Sequence, residues 1–247
     1  MMLPVRQVDE ELAGVPDPPW RGKRGRVRRA SLSRDAIVEA ALGLLDRDGA
    51  DELSMRHVAE ELGVGAASLY WYVASKSELI DLIIERVTRE VPLPEPDTAN
   101  WQQQLRETAT NLRRALASHR DVARLTLGRV PMGPTIMLWL EWTLSLLRGA
   151  GMPDRIAVYV GDLMALYVGA NVAEEEMGLA SPTGEPLTHE QIGAMFRDYM
   201  LALPKDRFPN VVAMVDEVLQ PFDRFGLGLE IILRGLATYA SDEGKAT

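Results

Sequence analysis

The sequence predicts an all-α fold divided into a small N-terminal domain and a larger C-terminal one. Apolar residues recur with helical spacing along nearly the whole chain, serines and glycines bound several of these runs, and strand-like alternation is almost absent. A length of 247 residues fits two unequal domains. The chain has no cysteine, so it has neither disulfides nor thiolate metal sites, and we expect a cytoplasmic location.

The first two helices are predicted from the residues at their ends. Ser33 can cap a helix with regularly spaced apolar positions, and Gly49 supplies a left-handed stop. Ser54 caps a second, shorter helix that ends at Gly63. These two helices lead directly into the segment LGVGAASLYWYVASKSEL, residues 62–79.

That segment predicts a sharp turn followed by two more helices. Gly63 and Gly65 permit the turn, and a brief third helix begins at the alanines that follow. Ser75 opens a fourth helix, and Glu78 three residues later indicates a capping box.

Two short helices joined by a tight glycine turn, behind one stabilising helix, form the helix-turn-helix arrangement. Small residues at the start of the third helix would let its backbone approach the floor of the major groove. Leu69 and Val73, four residues apart, should face inward, which turns Tyr70 outward toward the phosphate backbone. We expect Trp71 to pack in the core because its side chain buries a large area. The alternative for this pattern is a helical hairpin that never contacts DNA.

A basic stretch precedes these helices, although the whole chain has a formal net charge of -9. Seven basic residues and no acidic one occur between positions 21 and 34. We expect residues 1–30 to form a flexible arm that tracks phosphates or enters a minor groove. The alternative is a solubilising tail. The basic residues are Arg21, Lys23, Arg24, Arg26, Arg28, Arg29 and Arg34.

The run RDAIVEAALGLLDRDGADELSMRHVAEELGVGAASLYWYVASKSELIDLI resembles the DNA-binding domain of the tetracycline-repressor (TetR) family. Its portion LGVGAASLYWYVASK is similar to the family signature, including the tryptophan of the branch nearest the tetracycline repressors. ALASHRDVARLTLGRVP and FGLGLEIILRGLATY resemble the effector domain of that branch. The resemblance implies a DNA-binding domain at 31–90 and an effector-binding and dimerisation domain at 91–247.

The resemblance also implies roles for single residues of the DNA-binding domain. Arg56 matches an arginine that contacts a base edge, and Tyr70 and Lys76 match residues that contact phosphates. The tetracycline repressors differ at positions 66, 67 and 72, which implies a different operator. The predicted DNA-binding residues are Ser54, Arg56, Ala66, Ala67, Ser68, Tyr70, Tyr72 and Lys76, with Arg24, Arg26, Arg28 and Arg29 of the arm.

The C-terminal half is predicted to be helical, with a proline-stiffened joint at 91–97 and a loop at 178–188 that could cover a pocket. The predicted helices lie near 99–118, 120–128, 133–149, 153–177, 188–202, 209–219 and 223–241.

The predicted effector is a small molecule that is largely apolar or aromatic. Thr126 stands where the tetracycline repressors have a magnesium-binding histidine, and Thr108 and Leu112 replace two drug-holding residues. The tetracycline site is therefore not reproduced. Bulky apolar side chains suit a different ligand, although most such residues are usually core. The predicted ligand-binding residues are Thr108, Leu112, Thr126, Met137, Trp139, Trp142, Met164, Tyr167 and Glu174.

A homodimer is expected because one short recognition helix contacts too few base pairs for specificity. Small residues on two helices could let them approach a partner closely, or could serve packing within one subunit. They are Gly161, Ala165 and Gly169 on the first helix, and Gly226, Gly228, Gly235 and Ala237 on the second. The apolar stretch 156–173 approaches the length of a membrane span, but the polar residues inside it disfavour that interpretation.

The sequence does not indicate an enzyme. The three histidines are far apart, no serine has an evident base, and we find no metal spacing or phosphate-binding glycine loop, so no cofactor is expected. We predict a ligand-responsive transcriptional repressor that binds a palindromic double-stranded DNA operator as a homodimer, with no membrane partner. The alternatives are a ligand-independent regulator or activator of the same fold, and a helical binding protein or enzyme with a vestigial helix-turn-helix.

Overall fold

The computed structural model describes residues 15, 16, 18, 32–130, 132–177 and 188–242. Across these residues every regular element is a helix, which confirms the predicted all-α class. The predicted basic arm lies almost entirely outside the described residues, as does most of the predicted loop at 178–188. The first four helices are α1 (Arg34–Asp48), α2 (Met55–Glu61), α3 (Ala66–Leu69) and α4 (Lys76–Thr88).

The C-terminal helices follow the predicted order with one break. Met214 has φ -107° and ψ 15°, so the single helix predicted over 209–219 is two short ones. A short 3-10 turn at Thr98–Asn100 precedes α5. The helices are α5 (Trp101–Ala117), α6 (Val122–Thr126), α7 (Pro134–Gly149), α8 (Asp154–Met177), α9 (His189–Leu201), α10 (Pro209–Ala213), α11 (Val215–Leu219) and α12 (Arg224–Asp242).

The described residues fall into two compact units. One contains the chain up to Glu176 together with the residues from Leu229 onward, and the other is Met177–Gly228. The first unit therefore contains α1 to α7, nearly all of α8 and most of α12.

Helix α1 begins and ends at the residues that the sequence predicts. Ser33 Oγ accepts a hydrogen bond from the Ala36 amide at 3.0 Å, and Gly49 has a positive φ of 89° after the last turn of α1. Between these ends α1 buries Ile37 and Leu45 completely. Burying two such side chains contributes roughly 1.5–3 kcal/mol each, which stabilises α1 as the support for the shorter helices.

Helix α8 is, among the described residues, long and apolar enough to cross a membrane by length and composition. Core helices of soluble proteins pass the same test. Here α8 buries a stripe at helical spacing that includes Ala157, Val160, Met164 and Val168.

Candidate nucleic-acid interface

The turn between α2 and α3 depends on one glycine conformation. Ser54 Oγ accepts a hydrogen bond from the His57 amide at 3.2 Å, which confirms that Ser54 caps α2. Gly63 follows the end of α2 and has a φ of 64°, a conformation that residues other than glycine rarely adopt. Gly65 has φ -71°, and a side chain added there would meet nothing within 4 Å. Of the two glycines expected to permit the turn, Gly63 has the conformation that favours glycine, whereas the conformation of Gly65 is open to other residues.

Helix α3 is a single turn held by two apolar side chains. Leu69 and Val73 are both fully buried, as predicted. Tyr70 between them is 53% exposed and faces away from the core. The remaining predicted contacts of this helix are accessible: Ala67 is exposed, and Ala66, Ser68 and Tyr72 are half-buried.

Trp71 lies on the surface, so the prediction that it packs in the core is wrong. Its side chain is 65% exposed, more than that of Tyr70. The reason is its position in the turn: the Val73 amide donates to the Leu69 carbonyl at 2.9 Å, so the helical path continues, and Trp71 lies about 200° around it from both buried residues. Val73 then fills the inner position, and the tryptophan remains outside with Tyr70.

The start of α4 differs from the predicted capping box. Ser75 Oγ accepts from the Glu78 amide at 3.1 Å, which is the first half of that motif. The Glu78 carboxylate accepts from the Ala74 amide at 2.7 Å, whereas a reciprocal box requires the Ser75 amide. The carboxylate is drawn to that position because its other oxygen pairs with Arg34.

Arg34 belongs to the fold, which corrects its assignment to the basic stretch of the arm. Its Nη2 atom lies 3.1 Å from Glu78 Oε1, and the two side chains are only 14% and 9% exposed. Its Nε–H also donates to the Tyr72 carbonyl at 3.3 Å. Arg34 therefore connects the beginning of α1 to the turn after α3.

The two predicted basic contacts on α2 and α4 are both accessible. Lys76 is exposed and occupies the first position of α4, where the helix dipole favours a bound anion. Arg56 is 80% exposed, and its Nε atom lies 2.8 Å from Glu60 Oε1. The hydrogen bond with Glu60 raises the pKa of Arg56, and the same bond lowers the pKa of the Glu60 carboxyl.

An open polar groove of about 750 Å³ lies beside α1 and α2, lined in part by Arg47, Glu52, His57, Glu61 and Arg120. None of its lining residues is a predicted effector contact. His57 Nδ1 lies 2.6 Å from the Glu52 carbonyl oxygen, which fixes the ring at the edge of the groove.

The corner between α5 and α6 contacts α1 through polar groups that the sequence did not indicate. Asp121 adopts a left-handed conformation with φ 62°, and its carboxylate accepts from the Ala50 amide at 2.8 Å. His119 Nδ1 lies 2.9 Å from Asp46 Oδ2, and Arg124 pairs with Asp51 at 2.6 Å.

Arg129 makes a second polar connection, between the segment after α6 and α4. Its Nη1 atom lies 3.1 Å from Ser77 Oγ and 3.0 Å from Asp81 Oδ1. Ser77 is the neighbour of Lys76. Arg129 therefore connects the segment after α6 to the first two turns of α4.

The predicted ligand residues of α5 and α6 lie in the interior of the first unit. Thr108 and Leu112 are 3% and 9% exposed on one side of α5. Thr126 is half-buried and faces α8, where a methyl group added at Gly169 would lie 2.9 Å from the Thr126 Oγ1 atom. Gly169 thus serves packing within the subunit, which is the alternative interpretation of the small residues on this helix.

The other predicted ligand residues differ in how deeply they are buried. Trp142 is 7% exposed, and its indole N–H donates to the Pro94 carbonyl at 2.6 Å, so it connects α7 to the joint at 91–97 as a core residue. Met164 is equally buried, whereas Met137, Trp139 and Tyr167 are half-buried and Glu174 is exposed.

Helices α8 and α12 each expose an apolar face. On α8, Val158 and Tyr159 are both 57% exposed and Leu166 is 50% exposed. On α12, Ile231 and Tyr239 are 63% and 45% exposed. Such spacing places the exposed residues of each helix on one side.

Comparison with known proteins extends over both halves of the chain. Residues 37–83 match the family model described as bacterial regulatory proteins, tetR family, and residues 93–240 match the tetracyclin repressor-like C-terminal domain. The chain is similar to the HTH-type transcriptional repressor DrrR1 of Streptomyces coeruleorubidus, with 33% identity over 87% of this chain and 81% of that protein. It is also similar to the class E tetracycline repressor of Escherichia coli, with 36% identity over 60% of this chain and 70% of that protein.

A solved structure agrees with these relatives. ActR of Streptomyces coelicolor in complex with actinorhodin has a TM-score of 0.77 and 40% identity, over 87% of this chain and 100% of that chain. The second family model alone matches more than half of the 247 residues. The exposed edge of α3, the two family matches and these relatives together show that the chain belongs to the tetR family of bacterial regulatory proteins, the helix-turn-helix repressors that respond to a ligand.

Proposed function

We propose that the chain acts as a homodimer that holds two copies of α3 on a palindromic operator and leaves the DNA when a small effector binds. One observation supports this most: Tyr70 and Trp71 are exposed beside Lys76 on a turn whose inner face, Leu69 and Val73, is fully buried. Adjacent exposed aromatic rings are typical of a surface that a partner covers. Duplex DNA offers sugars, methyl groups and phosphates to such a surface.

Each exposed residue has a role that its chemistry suits. The guanidinium of Arg56 donates to a guanine edge, and the methyl groups of Ala66 and Ala67 contact thymine methyls. Tyr70 and Lys76 contact phosphates. To the predicted set, which also includes Ser54, Ser68 and Tyr72, we add Trp71 as a contact to the sugar–phosphate backbone. The arginines of the arm, 24, 26, 28 and 29, remain predicted phosphate contacts.

The dimer is proposed to form through the exposed apolar faces of α8 and α12. Paired about a twofold axis, these two helices and their partners would make a four-helix bundle. The proposal keeps the predicted organisation of the chain: an arm at 1–30, a DNA-binding domain at 31–90 and an effector and dimerisation domain at 91–247. We expect the protein to work in the cytoplasm, where its operator is.

The effector is proposed to be a large, mostly aromatic molecule bound in the first unit near Thr108, Leu112 and Thr126. ActR binds actinorhodin, according to its structure, and is 40% identical to this chain. The half-buried Met137, Trp139 and Tyr167 supply adaptable apolar surface of the kind that such ligands need. Trp142 is a weaker candidate because Pro94 already occupies its indole N–H.

The coupling between effector and DNA is proposed to pass through α6. An effector beside Thr126 would shift α6, and the contacts of Asp121 with Ala50 and of Arg129 with Asp81 would carry that shift to α1 and α4. Interactions at both ends of a rigid element favour two discrete positions rather than a gradual one. A coupling free energy of about 1–3 kcal/mol is typical and gives 5- to 150-fold release.

The experiment that tests this function follows the protein on a duplex selected from a random pool. Actinorhodin is the probe, and tetracycline with magnesium is the control. We expect actinorhodin or a similar polycyclic aromatic to release the duplex and the control to have no effect. A complex that no such aromatic compound dissociates would contradict the proposed effector class.

A further inference from the structure

Arg56 is not alone on the outer face of α2. Glu60 lies one turn later on the same face, 58% exposed, and its Oε1 atom accepts a hydrogen bond from Arg56 Nε–H at 2.8 Å. The resemblance to known repressors gives a role to the arginine and none to this carboxylate. The pair is exposed in the free protein, where such i,i+4 pairs contribute little to stability. The pair is therefore not needed to hold the fold.

The geometry of the guanidinium determines which donors of Arg56 remain available to DNA. It has two donor edges: one made by Nε and a terminal amino group, the other by the two terminal amino groups. Glu60 occupies the Nε–H, so only the outer edge remains as a complete pair of donors. Two parallel donors are what guanine O6 and N7 accept in the major groove.

We propose that Glu60 is a specificity-determining positioning residue, which holds Arg56 so that its two terminal amino groups face a guanine. The inference rests on the proposed function, because it requires that Arg56 contacts a base.

The charge of Glu60 acts in the same direction. An arginine that enters a groove without a fixed partner can turn to the nearest phosphate, which attracts it in every sequence. A carboxylate beside the guanidinium repels phosphates and leaves the neutral guanine edge as the better acceptor. Glu60 should therefore lower the affinity for unrelated DNA while it raises the preference for guanine, and these two effects have opposite signs.

Two substitutions separate the hydrogen bond from the charge. Glu60→Ala removes both, whereas Glu60→Gln removes the charge and keeps an oxygen that can accept from Nε–H. Glu61→Ala is the matched control, because Glu61 is the adjacent residue, is 43% exposed and pairs with Arg47 at 3.0 Å. Each variant removes one negative charge from the same turn. The general electrostatic effect of losing one negative charge on the affinity for DNA is thus the same in the three variants.

The readout is the ratio of affinities for a selected duplex and for the same duplex with the guanine pair replaced. Glu60→Ala should lower this ratio by about threefold to tenfold and should raise the affinity for unrelated DNA. Glu60→Gln should raise the affinity for unrelated DNA and lose less of the ratio. Glu61→Ala should leave the ratio unchanged. A ratio that is equal in Glu60→Ala and Glu61→Ala would overturn the inference.

Arg56→Ala and the wild-type chain distinguish failure of the inference from failure of the proposed function. If the wild-type chain selects no duplex, the proposed function fails. If Arg56→Ala relaxes the preference for guanine and Glu60→Ala does not, only the role of Glu60 is refuted. Circular dichroism melting of each variant ensures that a changed ratio does not come from unfolding.

Discussion

The pair formed by Arg34 and Glu78 is expected to hold the recognition helix in position. Removing the carboxylate by Glu78→Ala takes away the counter-ion of the Arg34 guanidinium, which is 14% exposed and still donates to the Tyr72 carbonyl. It also leaves the Ala74 amide without its 2.7 Å acceptor at the beginning of α4. Both changes affect the turn after α3, which otherwise has Leu69 and Val73 as its anchors.

The magnitude follows from the burial of the pair. Breaking a buried ion pair by removing one partner destabilises by about 3–5 kcal/mol. The residual exposure of these two side chains reduces the expected loss to about 2–4 kcal/mol, because water and the Tyr72 carbonyl still contact the guanidinium. That is a large part of the roughly 5–15 kcal/mol that stabilises a typical domain. We also expect the affinity for DNA to fall, since α3 loses its fixed orientation.

Urea denaturation followed by circular dichroism measures this loss. Glu39→Ala is the matched control, because Glu39 is 55% exposed where it pairs with Arg86 on α4 and should contribute less than about 1 kcal/mol. The double variant Arg34→Met with Glu78→Leu should be more stable than Glu78→Ala, because it leaves no unpaired charge. Equal losses for Glu78→Ala and Glu39→Ala would refute the reasoning.

Three further predictions concern other parts of the molecule. Lys76→Ala should lower the slope of log affinity against log salt by about one, measured by fluorescence anisotropy at several salt concentrations, and an unchanged slope would remove Lys76 from the phosphate contacts. Gly43→Ala should raise the free energy of unfolding, measured by urea denaturation, by about 0.5–1 kcal/mol, because a methyl group at position 43 meets nothing within 4 Å. Gly169→Ala should raise it less, because its methyl group would meet Thr126, and a larger gain for Gly169→Ala than for Gly43→Ala would contradict the packing. Partial desolvation and the nearby carboxylate of Asp121 raise the pKa of Glu176, which water still reaches, so Glu176→Gln should raise the melting temperature at pH 7 by less than about 1 °C. The difference should be lost below about pH 4.3, where a free glutamate is protonated, and a gain that persists at pH 3 would be inconsistent with this cause.

The helices and their order could be predicted because each depends on nearby residues. Ser33, Ser54 and Ser75 cap helices where the sequence places them, and Leu69 and Val73 are buried where their spacing indicates. Caps and apolar spacing act within a few residues, so a single sequence contains them completely.

The errors concern residues whose environment depends on distant parts of the chain. The size of Trp71 predicts a core position, but the side of the turn opposite Leu69 and Val73, where Trp71 lies, is not covered by the described helices. Arg34 has the composition of the arm, and its partner Glu78 is 44 positions away. The ligand role of Trp142 stays a prediction, although its indole N–H has a partner, the Pro94 carbonyl, that local patterns do not indicate. Such contacts follow from tertiary packing, which local patterns do not contain.

The central claim is that two copies of α3 bind one duplex through twofold pairing of the chain. Sequencing the duplexes that the purified protein selects from a random pool tests this directly. The account predicts a palindrome whose half-sites are centred about 10–10.5 base pairs apart, or a multiple of that spacing, with a guanine in each half-site that Arg56→Ala no longer selects. Enrichment of a single asymmetric site, or of no sequence at all, would contradict it.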